Sequence, residues 1–230
     1  MSQGNITFAE DALHKLAALF KITPEELGPI SVTMGDSKKE TFRFNGSDYT
    51  HWVTFDSMDG YYRFVNALES ANGRHGGIVF DTSGSDIAID IDAIAHLHDQ
   101  IALTRALESK LPYDGRMDID YHSGDDDSSC SINLFSPDPG NISIPMAIGK
   151  DINTLFKREG KAPLFDFSNR MVGYSFEDGT ISQFINRQIL LGGLGIKREE
   201  LLSEQLEAEK MRFRNAVARP ATGSEPQAGI

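Results

Sequence analysis

Short runs of β-branched and aromatic residues, paired across turn residues and followed by helical periodicity, recur along this 230-residue chain. Segments 41–44 and 49–55 flank Asn45-Gly46, a strong hairpin signal. Ser57 then opens a helix with Tyr61, Phe64, Val65 and Leu68 on one face. Segments 78–82 and 86–91 flank Ser83-Gly84-Ser85, and a helix over about 92–111 carries Ile94, Leu97, Ile101 and Leu107. A third hairpin is predicted across 117–121 and 130–134, after which Pro137, Pro139 and Gly140 delay any helix. A fourth is predicted across 164–167 and 171–176, followed by a helix with Ile181, Phe184, Ile185 and Ile189. Hairpins followed by helices predict an α+β fold of repeated hairpin-plus-helix units, with mainly antiparallel sheet and helices on one face.

The ends differ from this pattern. Residues 1–30 read as an N-terminal helical segment: Thr7 to Glu10 forms a capping-box pattern before Leu13, Leu16, Ala17 and Phe20, which predicts a helix over 8–21. Thr23-Pro24-Glu25-Glu26 starts a second helix that Gly28-Pro29 stops after about one turn. This pair resembles the first two helices of a helix-turn-helix DNA reader, but residues 28–35 read as turn and strand where the recognition helix would stand. The α+β core is assigned to 31–195, with duplicated halves at about 31–111 and 112–195. Ala67 to Ser70 recurs as Ala106 to Ser109, and Phe64-Val65-Asn66 as Phe184-Ile185-Asn186. Residues 196–219 are assigned to a C-terminal helix with a narrow stripe of Leu202, Leu206, Phe213 and Val217, and 220–230 to a disordered tail.

Composition limits the function classes. The 22 Lys and Arg face 34 Asp and Glu, a formal net charge of -12, which opposes direct nucleic-acid binding because counterion release needs cations. The single cysteine, Cys130, excludes an internal disulfide and a cysteine-only zinc site. No apolar run approaches the roughly 18 residues that span a bilayer, and Glu10 and Asp11 stand where a signal peptide would be basic. A soluble, cytoplasmic protein without a membrane partner is expected.

The strand running into Asp81-Thr82-Ser83-Gly84-Ser85 resembles the metal-ion-dependent adhesion site of the von Willebrand factor A domain. That resemblance implies a Mg or Ca site with oxygen ligands from Asp81, Ser83, Ser85, Thr154 and Asp178, in a parallel sheet. Asp90-Ile91-Asp92 resembles the nucleophile motif of haloacid-dehalogenase-like phosphatases only in Asp-x-Asp after a strand, without the later lysine and acidic pair. Asp125, Asp127 and Ser129 are spaced like a calcium loop, with Cys130 in place of its glycine. His96 and His98, two apart on a helix, face about 200° apart and share no metal. Nothing in these patterns closes on catalysis, and neither an enzyme activity nor a cofactor is assigned.

The acids are localised. Residues 72–150 hold 13 acids against 5 bases, all but one of the acids being aspartate. Strand alternation places Asp86 and Asp90, then Asp118 and Asp120, outward, and carboxylates two apart on one face are about 6.6 Å apart. Together with Asp92, Asp125, Asp126 and Asp127, they are the expected binding residues of a non-enzymatic module for a basic protein surface. Such a module would act as an inhibitor, adaptor or chaperone, its carboxylates standing in for a nucleic-acid backbone. A structural subunit that self-associates through the C-terminal helix is the other alternative to the metal site.

Overall fold

The computed structural model describes residues 3–35, 42–45, 47–75, 78–111, 115–121, 129–168, 170 and 172–218. Two four-stranded sheets, antiparallel throughout, form the frame. The first holds β1 (Ile30–Met34), β4 (His51–Phe55), β5 (Phe80–Ser83) and β6 (Asp86–Ile89) in the order β1-β4-β6-β5. The second holds β7 (Arg116–Tyr121), β8 (Ser129–Phe135), β9 (Val172–Ser175) and β10 (Thr180–Asn186) in the order β7-β8-β10-β9. In each, a helix joins the second strand to the third, α3 (Met58–His75) in one and α5 (Ser143–Arg158) in the other. The third and fourth strands then form a hairpin that leads into α4 (Ile91–Lys110) or α6 (Arg187–Leu194). The chain is therefore α+β, with one strand order and one connectivity used twice.

Helix α4 closes the first unit and opens the second. It precedes β7 as α1 (Gln3–Leu19) precedes β1. Its Ile94, Leu97 and Ile101 lie in the core built on β1, β4 and β6, whereas Leu103 and Leu107 lie in the core built on β7, β8 and β10. A helix covered on both sides cannot keep a polar face, so Asp99, Gln100 and Thr104 are buried with the apolar residues. The two short identities do not register with the repeat: 67–70 lies on α3 and 106–109 on α4, while 64–66 is helix and 184–186 strand.

The elements depart from the sequence expectation where two periods compete. Ile181, Phe184, Ile185 and Ile189, expected on one helix, divide between β10 and α6. Ile181 and Ile185 are four apart, which fits a helix, but the core-facing residue between them is Gln183. That buried amide accepts from the Asp166 N–H at 3.1 Å and donates to the Phe184 carbonyl, so a polar residue hides the strand alternation. The fourth hairpin consequently turns at Glu177-Asp178-Gly179 rather than at Ser168-Asn169, and 164–167 is not strand. The expected strand 49–55 is broken at Thr50: β2 (Phe42–Phe44) and β3 (Ser47–Tyr49) make a separate hairpin, and β4 pairs with β1 and β6. The N-terminal helix begins at Gln3, ahead of Thr7. The C-terminal helix is interrupted, a 3-10 turn at Arg198–Glu200 preceding α7 (Leu202–Ala218). The expected tail at 220–230 lies outside the described residues.

Candidate functional site

The second helix of the chain, α2 (Pro24–Leu27), is one turn long and cannot persist by itself. A capping box fixes its start: the Glu26 N–H donates to Thr23 Oγ1 at 3.3 Å, and the Thr23 N–H to Glu26 Oε2 at 2.9 Å. Gly28, at φ 70°, ends it, and Leu27 is buried. The helix then lies directly against α3 at Gly60, where a Cβ would collide with the Leu27 carbonyl oxygen. Ser57 accepts from the Gly60 N–H at 3.2 Å, and the Asp56 N–H donates to the Pro29 carbonyl at 3.1 Å. These contacts make a rigid shoulder of two helix starts.

The outward surface of the shoulder is acidic and apolar. Glu25, Glu26, Asp56 and Asp59 are exposed, and Arg63 reaches Glu26 at 3.5 Å. Met58 and Tyr62, one helical turn apart, are 45% and 55% exposed. They lie off the buried stripe of Tyr61, Phe64, Val65 and Leu68, and the Tyr62 ring rests edge-on against Tyr61 at 5.2 Å. The sequence contains the signal for this surface, two large apolar residues four apart on the polar side of an amphipathic helix. Strand alternation draws attention to the aspartates instead.

Those aspartates are largely held within the fold. Asp118, expected outward, is 2% exposed; Arg116 reaches it at 3.0 Å and the His75 ring, from the end of α3, lies against it. It ties the first unit to the second, because β7 lies against the end of α3 rather than open to solvent. Asp120 accepts from Asn133 at 2.6 Å. Strand β6 ends at Ile89, so Asp90 is no strand residue; it accepts from the Thr50 N–H at 2.8 Å just before α4. Asp92, in the first turn of α4, pairs with Lys210. Asp86 is half-buried in register with Thr54 and Ser83. On the same outer sheet face, Phe44 of the β2-β3 hairpin stands against Trp52, and Tyr49 donates to Asp81 at 2.8 Å. Burial and the Asp81 carboxylate raise the Tyr49 phenol above its ordinary pKa. The face expected to display a carboxylate ladder is thus covered by a hairpin. Asp125, Asp126 and Asp127 lie outside the described residues.

The oxygen ligands implied by the adhesion-site resemblance are spread over both units. Asp81 and Ser83 lie on β5 with Ser85 in the following turn, Thr154 donates to the Lys150 carbonyl of its own helix, and Asp178 accepts from Ser175. The sheets are antiparallel where the resemblance implies parallel strands. Among the described residues no group of three or more His, Cys, Asp or Glu is placed to hold a metal ion.

A cleft of about 250 Å³ lies between α4, α6 and α7. Its charges pair with one another: Glu204 with buried Arg187 and, at 2.8 Å, with Arg198; Lys210 with Asp92 and, at 2.8 Å, with Glu207. Burial alone would lower the Lys210 pKa, but its two carboxylate partners outweigh that and raise it. Beside the cleft, Asp99 is fully buried on α4 and accepts from the Leu202 N–H at 2.8 Å, the Ser203 N–H at 2.9 Å and the Ser203 hydroxyl at 2.6 Å. It caps α7 from a distant element. Leu202 and Leu206 of the expected oligomerisation stripe are buried in the first core. This region braces the fold. No described helix is long and apolar enough to cross a membrane.

Comparison of the chain with protein-family models, curated proteins and solved structures finds no match.

Proposed function

We propose that this protein is a non-enzymatic binding module that recognises a basic surface on another protein, through the shoulder formed by α2 and the start of α3. The observation that carries this reading is the pair Met58 and Tyr62, held exposed beside Glu25, Glu26, Asp56 and Asp59. Apolar side chains on a rigid frame supply contact area at small entropic cost, and the surrounding carboxylates attract and orient a cationic partner. The net charge of -12 acts in the same direction at long range. A cytoplasmic location and an inhibitor, adaptor or chaperone role belong to this proposal.

The test is affinity capture from native extract with the intact protein and with two variants, Met58→Ala/Tyr62→Ala and Asp56→Asn/Asp59→Asn, at low and high salt. The expected outcome is a basic protein retained by the parent at low salt, lost at high salt, and retained at least about tenfold less by each variant, the equivalent of about 1.4 kcal/mol. Retention that ignores both salt and the variants contradicts the reading.

A further inference from the structure

Among the described residues each sheet has one edge strand packed against a helix and one that is not. β1 packs against α1 and β7 against α4, whereas β5 and β9, hydrogen-bonded on one side as β1 and β7 are, have no such helix. The open margins differ in how they discourage pairing. β5 carries Asp81 and ends in Thr82 and Ser83. β9 reads Val172-Gly173-Tyr174-Ser175, with no charge, no proline and an unbroken register against β10 from Val172 to Ser175. It therefore carries neither the charge nor the proline by which edge strands often discourage edge-to-edge association. Gly173 is exposed, Tyr174 is 39% exposed and Phe176 66% exposed, and the two rings stack at 6.4 Å.

The charges flanking β9 are self-complementary. Arg170 precedes the strand, Glu177 and Asp178 follow it, and all three are exposed. In an antiparallel pair of identical strands related by a two-fold axis, a residue must face its mate across an axis that passes through a residue, because hydrogen-bonding direction alternates along the strand. With the axis at Tyr174, Gly173 of one copy pairs with Ser175 of the other, and Arg170, ahead of one strand, comes to the turn that carries Asp178 in the other. We infer that β9 is a docking edge for a second copy of this chain, which would join two second sheets into one continuous eight-stranded sheet. The aromatic pair supplies the contact area, and the Arg170-to-Asp178 complement sets an antiparallel rather than a parallel register. This inference is independent of the shoulder on α2 and α3, which lies on the other unit.

Sedimentation velocity of the full chain, from low to high micromolar concentration and at low and high salt, tests it. The expected result is a reversible shift of the mass from that of the 25.4 kDa chain toward twice that value. High salt should preserve or tighten the association, since screening relieves repulsion between two chains of charge -12. Tyr174→Lys, which places a charge on the edge, should abolish the shift while the thermal midpoint stays within a few degrees. Arg170→Glu should weaken the association and Arg170→Glu/Asp178→Arg restore it. A monomer at every concentration overturns the inference, as does a dimer indifferent to both the Tyr174 and Arg170 variants. A dimer that dissociates with rising salt also overturns it, and that outcome leaves the shoulder proposal untouched.

Discussion

His51 is the residue whose chemistry is most altered by its position. It belongs to β4, faces the first core in register with Ile89, and is 3% exposed. Its Nδ1 lies 2.9 Å from Thr50 Oγ1 and its Nε2 has no partner among the described residues. Burial dominates over the nearby Asp90 and Asp92 carboxylates and lowers its pKa from 6.5 to about 4. In the unfolded chain the ring binds a proton near pH 6.5, whereas in the folded protein it binds one only near pH 4. The His51 contribution to folded stability is therefore fully present above pH 6.5 and is lost as the pH drops from there toward 4, about 3 kcal/mol from this group at roughly 1.4 kcal/mol per pH unit. Denaturant melts of the parent and of His51→Leu between pH 7 and pH 4 check this: the parent loses stability over that window, and the variant loses about 3 kcal/mol less. Equal slopes would place the titration elsewhere. Asp99 shows the opposite strategy, a buried carboxylate given enough donors to remain. Asp99→Ala would orphan the first N–H groups of α7 and is expected to cost about 2–4 kcal/mol, read as a lowered denaturation midpoint.

At the scale of elements, the close approach of α2 to α3 rests on Gly60. Gly60→Ala places a methyl group against the backbone of Leu27, which cannot move as a side chain can. Its expected cost is about 1–3 kcal/mol with loss of the shoulder's rigidity. Thermal melting reads the first effect and reduced capture of the basic partner reads the second. A variant as stable as the parent would mean that α2 shifts freely. The same scale shows what the sequence reveals. Hairpins at 80–89 and 116–135 are legible because Ile87, Ile89, Ile119 and Ile132 alternate with smaller or polar residues. β10 is not legible, because Gln183 faces inward and Phe184 outward. α5 is obscured by Pro145 near its start. The outward placement of Asp118 differs from the structure for a related reason: alternation tells which residues share a face and not whether that face meets water. Asp118 lies on the face opposite Met117 and Ile119 as the pattern requires, yet the end of α3 covers it. The shoulder was within reach of the sequence, since Met58 and Tyr62 break the amphipathic pattern of α3.

The whole molecule is two units of one topology joined by a shared helix, α4, with α7 fastened across it by Asp99 and by Lys210 to Asp92. Such an arrangement distributes its carboxylates unequally: those near the junction hold the units together, and Glu25, Asp56 and Asp59 on the shoulder are exposed. Recognition is proposed to occur at the shoulder and not along the aspartates of 86–120. Hydrogen exchange of the protein alone and loaded with the basic partner retained at low salt decides between them. Added protection is expected to be confined to α2 and residues 56–63, with no change in β6 and β7. Protection along β6 and β7 instead, or none at the shoulder, would contradict it.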